Sequence, residues 1–239
     1  MKKLSKAIIL AFGTVSILST QAFAGKKVLI YDDTETLGTG NYQNENYLIY
    51  KKDIEESEGN YTFNFTYGWN DKTDLAINIP FEYLKNYEDV HSDISDPSIE
   101  IKYRFFEKDN LKFAMKPFLG IPVKKDSDFS EGHFQYGITL VSQYEIEKWS
   151  FYANTSFVIH KEKLNENEFF QSFSAEYNIS DNFSLIGTLY LSSYDETEKG
   201  GIIGFGYSFS KFEMGLGIGK VFNPENNYSI YAGFTIKFF

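Results

Sequence analysis

A chain of 239 residues with 23 basic and 33 acidic side chains carries a formal charge of −10, which excludes the broad basic surface that nucleic acid requires. It has no cysteine, which excludes disulfides, a thiol nucleophile and thiolate metal sites. Aromatic residues make up 18% of the chain while the mean hydropathy stays at −0.34, a combination that suits strands with one aromatic face and one polar face.

Lys2, Lys3 and Lys6 open the chain, an apolar run follows from Ala7 to Leu18, and "STQAFA" places small residues at Ala22 and Ala24. Residues 1–24 are therefore expected to be a cleaved signal peptide. Removing its three lysines leaves 20 basic against 33 acidic residues, a formal charge of −13 on an exported chain of about 215 residues. One all-β domain is ordinary at that length. Residues 25–40 form an amino-terminal segment, periplasmic or plugging a lumen, and residues 41–239 form the body.

After an opening strand near Tyr42 to Lys51, the body divides into alternating segments of about ten to thirteen residues. "YTFNFTYGW" sets Tyr61, Phe63, Phe65, Tyr67 and Trp69 on one face and Thr62, Asn64, Thr66 and Gly68 on the other. "NDKT" turns the chain, and Leu75, Ile77, Ile79, Phe81 and Tyr83 continue the pattern. Lys85 to Asp96 reads as a polar connection. Ile99, Ile101, Tyr103 and Phe105 mark the next strand, "EKDN" the next turn, and Leu111, Phe113, Met115, Leu119 and Ile121 the strand after it. The same period of two recurs from Phe134 to Tyr144, Phe151 to Ile159, Phe169 to Tyr177, Leu185 to Leu191, Ile203 to Phe209 and Met214 to Ile218. The last strand, "YSIYAGFTIKFF", alternates Ile230, Ala232, Phe234, Ile236 and Phe238 against Ser229, Tyr231, Gly233, Thr235 and Lys237.

Twelve strands result, and their connections alternate between a few residues and a longer polar stretch. No later segment approaches the 18 apolar residues of a spanning helix. A bilayer leaves no backbone polar group unpaired, so spanning strands must close on themselves. The fold class is all-β: a transmembrane antiparallel β-barrel of about twelve strands, in the outer membrane of a Gram-negative bacterium. Short turns and both termini fall on the periplasmic side and long loops outside. A soluble sandwich or lipocalin-like barrel also alternates, but would not need aromatics on one face of nearly every strand.

The inward phase carries charge: Glu82, Glu100, Lys102, Arg104, Lys112, Lys116 and Glu176 are the candidate lumen-lining residues. Two readings stand, a charged ring that selects ions and an ion-pair network that fills a narrow barrel. Gly204, Gly206, Gly215, Gly217, Gly219 and Gly233 also point inward and leave one wall thin, either for a solute or segment or to relieve curvature. His91, His133 and His160 are not spaced with a serine for hydrolysis, so no catalytic residue and no enzyme activity is expected. Asp126, Asp128 and Glu131 lack the spacing of a calcium loop, "GLGIGK" lies inside a strand and precedes no helix, and neither a metal nor a cofactor is expected.

Two resemblances sharpen this reading. The tail, with Tyr231, Gly233, Ile236, Phe238 and Phe239, resembles the carboxyl-terminal signal read by the outer-membrane barrel assembly machinery, with Ile236 in place of an aromatic and Phe239 one residue beyond the pattern. Asp33, Thr34, Thr36, Gly38, Gly40 and Tyr42 resemble the opening motif of an outer-membrane transporter family named for the phenol meta-degradation pathway. "YGWNDKTDLAINIPFEY" and "DPSIEIKYRFF" resemble two of its strands, although Pro97 breaks the second pattern and "FLGIPV" lacks the usual Pro-Thr-Gly. The family implies passive passage of a small solute, such as an aromatic or other hydrophobic compound. The implied partners are outer-membrane lipid, the assembly machinery and a small-molecule solute, with no nucleic acid. The alternative is a closed structural or surface-binding barrel.

Overall fold

The structure is a computed structural model that describes residues 31–52, 57–85, 89–123, 129–130, 132–160, 167–193, 197–222 and 227–238. The expected signal peptide, residues 25–30, Asp126, Asp128, Glu131 and Phe239 lie outside the described residues.

Among the described residues there are thirteen strands: β1 (Tyr42–Lys52), β2 (Ser57–Asn70), β3 (Thr73–Lys85), β4 (Val90–Ile94), β5 (Ser98–Lys108), β6 (Leu111–Gly120), β7 (Gln135–Ile146), β8 (Trp149–His160), β9 (Glu168–Asn178), β10 (Phe183–Ser193), β11 (Thr197–Phe209), β12 (Phe212–Val221) and β13 (Tyr228–Phe238). Each pairs antiparallel with its chain neighbour, except that β5 passes over β4 to pair with β3. β13 returns to β1 in a ladder from Tyr42↔Phe238 to Lys52↔Tyr228, so twelve strands close into a barrel without an edge. The thirteenth, β4, hydrogen-bonds only to the outer half of β3, from Phe81↔Ile94 to Lys85↔Val90. The stretch read as a polar connection from Lys85 to Asp96 thus contains a short hairpin arm. Its sequence, Val-His-Ser-Asp-Ile, lacks the apolar face that marks a spanning strand, because it stands beyond the barrel rim.

The sequence alternation becomes an inside and an outside. Thr62, Asn64 and Thr66 are buried, whereas Tyr61, Phe65 and Trp69 are exposed on the outer wall. A one-residue slip of β2 would exchange these two sets, so the pleat fixes the register. The outer wall is apolar, with Ile77, Ile99, Leu140, Leu189, Ile203 and Ile218 each at least 39% exposed. Water would not tolerate such a belt; hydrocarbon requires it.

Turns between β2–β3, β5–β6, β7–β8, β9–β10 and β11–β12 all lie at the end that holds Tyr42 and Phe238. They are short enough to need unusual backbone: Asp109, Glu147 and Ser210 have φ of 51°, 52° and 54°. Aromatic pairs ring this end: Tyr42 with Tyr67 at 5.3 Å, Phe106 with Phe113 at 5.6 Å and Trp149 with Tyr177 at 4.8 Å. Such rings sit where headgroups meet hydrocarbon. A bulge between Arg104 and Phe106 lets both Phe105 and Phe106 face outward at this rim.

Candidate functional site: a lumen with one charged and one apolar wall

Charges cannot face lipid, so β5 and β6 turn theirs inward. Lys102 and Arg104 project from β5, and Lys112 and Lys116 from β6. Their partners come mainly from the segment before β1. Lys102 Nζ lies 2.9 Å from Asp32 Oδ1 and 3.2 Å from Asp33 Oδ1, and donates to the Glu35 carbonyl at 3.2 Å. Lys116 pairs with Asp32 and, at 3.1 Å, with Glu100. Glu35 receives Lys112 at 2.6 Å and Arg104 at 3.3 Å. Arg104 also reaches the Asp71 carbonyl and the Glu107 carboxylate.

Uncharged groups hold the same segment. Asp32 N–H donates to Asn154 Oδ1 at 2.5 Å, and Asn154 Nδ2 returns a bond to the Asp32 carbonyl at 3.1 Å. Thr34 donates through both N–H and Oγ1 to Gln143 Oε1. Leu37 N–H donates to the Asp74 carboxylate. Tyr31, Asp32, Asp33 and Thr34 are at most 2% exposed, so this strip is interior structure. It leaves the lumen at the short-turn end, where Gly38 and Gly40 take φ of 77° and 81° and Gly40 N–H donates to the Gly68 carbonyl at 2.8 Å. Any Cβ at Gly68 would stand 1.9 Å from the Gly38 carbonyl oxygen. The glycines of the opening motif and of the "YG" turn are thus two halves of one close backbone contact.

Beside the basic wall a polar relay runs across three strands, β2, β3 and β5. Thr66 donates to Asn64, Asn64 to Asn78 at 2.5 Å, and Asn78 to Glu100 at 2.5 Å. It fixes the Glu100 carboxylate that faces Lys116.

The opposite wall is different. Tyr31, Ile49, Tyr152, Phe170, Ile186, Tyr190, Ile202 and Tyr231 form one buried apolar cluster inside the barrel. Tyr31 packs on Tyr152 with ring centroids 4.7 Å apart, and Phe170 stacks on Tyr190 at 6.2 Å. Glycines face one another across β11, β12 and β13, in the pairs Gly204↔Gly217, Gly206↔Gly215 and Gly215↔Gly233. The segment lies against β5 to β8, and a cavity of about 530 Å³ remains beside Gly206 and Gly215. Asp33, Lys102, Lys116 and Tyr152 also line it. The volume falls within the roughly 300–1,000 Å³ usual for small-molecule sites.

Of the residues singled out in the sequence, Glu100, Lys102, Arg104, Lys112 and Lys116 form one network with the segment. Glu82 and Glu176 stand apart from it. Glu82 accepts from Asn60 Nδ2 at 3.3 Å in the outer half, and Glu176 accepts from Tyr152 Oη at 3.0 Å. Asp32, Asp33 and Glu35 supply most of the counter-charge to the bases. Those three acids lie in the segment that the sequence left as periplasmic or lumen-plugging, and nothing in "YDDTETLG" named their lysine partners. The apolar cluster was also missed. Its signal was adjacent aromatics of opposite phase, as in Phe151–Tyr152 and Phe169–Phe170. In the tail, Tyr231 points inward at 1% exposure, whereas Phe238 faces outward at 50%.

Solved structures share this architecture at low identity. An outer-membrane channel of Pseudomonas putida F1 superposes with a TM-score of 0.72 and 13% identity, over 86% of this chain and 98% of that one. The NanC porin gives 0.59 and 11%, over 81% and 98%, and the KdgM porin 0.57 and 7%, over 82% and 99%. They are similar in fold. No protein of curated function matches the chain in sequence. The sequence profile of the family described as "Putative MetA-pathway of phenol degradation" matches residues 13–238, and the chain belongs to that family.

Proposed function

We propose that this barrel is a channel of the bacterial outer membrane, that it passes small, partly apolar solutes passively, and that residues 31–40 are its internal constriction. One observation carries the reading: an apolar cluster and a cavity of about 530 Å³ lie inside a closed barrel whose charged wall is capped by the chain's own amino-terminal segment. A purely structural barrel has no need of an interior cavity beside a glycine wall. The lumen charges Glu82, Glu100, Lys102, Arg104, Lys112, Lys116 and Glu176 set the polarity of the passage, and the five that form the network act through the segment. The similar solved structures are named as a channel and porins, which supports passage of solute and not turnover. The chain acts on no bond and needs no cofactor in this reading.

The segment also favours the alternative, a closed barrel, because it spans the lumen from Tyr31 to Gly40. Conductance in planar bilayers separates the two. Deleting residues 26–36 while keeping the Gly38–Gly68 contact is expected to raise single-channel current several-fold over the full chain. A deletion variant that assembles and never conducts decides for the closed barrel.

The partners are outer-membrane lipid and the barrel assembly machinery. β13 both closes the barrel and ends in the pattern Tyr231, Gly233, Ile236, Phe238, Phe239, so recognition and closure would use one strand. Removing Phe238 and Phe239 is expected to leave the chain in the periplasm, degraded. Normal insertion of the truncated chain would restrict those rings to lipid contact.

A further inference from the structure

Lys102 is deeply placed, its side chain 11% exposed, yet among the described residues its hydrogen bonds and ion pairs are with the amino-terminal segment: Asp32, Asp33 and the Glu35 carbonyl. The barrel wall itself gives this ammonium no ion-pair partner among the described residues. Lys116 is in a similar position, with Asp32 on one side and Glu100 on the other. A buried lysine stripped of its carboxylate is costly. The segment therefore behaves as a ligand that the barrel carries with it. Its two innermost described residues are a ring followed by a carboxylate: Tyr31 stacks on Tyr152 at 4.7 Å, and Asp32 bridges Lys102 and Lys116.

We infer that Lys102, Lys116 and Tyr152 form a binding subsite for a small aromatic monocarboxylate, which takes the place of Tyr31 and Asp32. The three side chains line the same cavity, so a solute there reaches both ammonium groups and the tyrosine ring. The ring of the solute replaces one aromatic contact with another. Its carboxylate replaces the Asp32 carboxylate at two charge-assisted bonds. The surrounding charges limit the anion to one carboxylate. Glu45 and Asp74 face the same space from β1 and β3, and Glu100 already holds one side of Lys116. A second negative group would meet these carboxylates without a base of its own. This subsite rests on the channel reading above and names the solute class that the passage would favour.

The test is calorimetric titration of the detergent-solubilised full chain with benzoate, benzyl alcohol and phthalate at pH 8, where carboxylic acids are ionised. Asp32→Asn with Asp33→Asn removes the tethered competitor while keeping its shape. That double variant is expected to bind benzoate at least about tenfold more tightly than the native chain. Lys102→Gln is expected to bind it at least about tenfold more weakly, and Lys102→Arg to recover most of the loss. Benzyl alcohol has the ring without the charge, and its affinity should not follow any of these changes. Phthalate should bind more weakly than benzoate. Lys102→Arg keeps the buried charge, so the series still reads out if Lys102→Gln fails to assemble. No benzoate binding in the Asn double variant, or benzyl alcohol binding as tightly as benzoate throughout, overturns the subsite. Bilayer recordings separate this from the channel reading. A segment-deleted barrel that conducts but ignores benzoate loses the subsite and keeps the channel. Charge-dependent benzoate binding by a barrel that never conducts keeps the subsite and loses the channel.

Discussion

The two walls of the lumen solve the same problem in opposite ways. On β5 and β6, cations inside a membrane-spanning barrel are made tolerable by carboxylates brought from elsewhere in the chain. On β8 to β13, an apolar cluster of tyrosine, isoleucine and phenylalanine and a run of glycines sit among buried serines and threonines, groups that need no counter-charge from elsewhere. The first wall is complete only with the segment in place. The second takes only the Tyr31 ring and the Asn154 bonds from the segment, and stays open beside Gly206 and Gly215 with the segment in place. The lesson is that filling a lumen and sealing it are separable tasks, and this barrel assigns them to different strands.

Substitutions can break that contrast. Lys102→Met should have the largest effect, about 3–5 kcal/mol of lost stability in the full chain, because it takes an ion pair from both buried acids, Asp33 and Asp32, and leaves Lys116 as the cation beside Asp32. The same substitution in a chain lacking residues 26–36 should cost little or should stabilise, since the unpartnered ammonium is then what is removed. Thermal unfolding in detergent, followed by the gel shift between boiled and unboiled barrel, measures both. Equal losses in the two backgrounds would mean that the wall does not depend on the segment.

Ile186→Ala on the other wall should cost about 2–5 kcal/mol, nearer the lower end because the site adjoins an existing cavity. Its loss should differ between chains with and without residues 26–36 by far less than that of Lys102→Met, since Tyr31 is the one cluster member removed with the segment. Gly215→Leu should change stability by only about 1–3 kcal/mol, as an overpacked position does, while reducing the current of the segment-deleted barrel by filling the cavity it lines. An unchanged current would place the passage away from the glycine wall. Lys237→Gln, at the short-turn rim, should have the smallest effect, about 1 kcal/mol or less. Its 2.7 Å pair with Glu213 joins neighbouring strands that already share a ladder.

Period-two patterning made the barrel legible because lipid outside and polar groups inside impose opposite demands on successive residues. Thr62, Asn64 and Thr66 could be placed from their positions alone. The short arm β4 could not, since a strand beyond the bilayer is under no such demand. The basic residues of the site were legible for the same reason as the strands: Lys102 and Lys116 share the inward phase. Their counter-charges were not. Asp32 and Glu35 lie outside any repeating pattern, and nothing local says that "DDTE" turns back into the lumen across more than sixty residues of sequence. Alternation also hid the apolar cluster, because it treats an inward tyrosine such as Tyr152 as an exception to a polar face.

The contact between Gly38 and Gly68 has a consequence for how strongly any solute must bind. It fixes the point from which the segment can swing, and the six residues from Leu37 back to Asp32 reach at most roughly 22 Å when extended. A carboxylate confined to that radius is present at its lysines at an effective concentration in the millimolar range, whatever the composition of the surroundings. A free solute competes against that fixed local concentration, so its apparent affinity falls by the same factor that the tether supplies. In the channel proposed above, the loop closed by two glycines would act as a threshold: scarce solute would leave the barrel stoppered, abundant solute would not, and no moving part beyond a short stretch of backbone would be required.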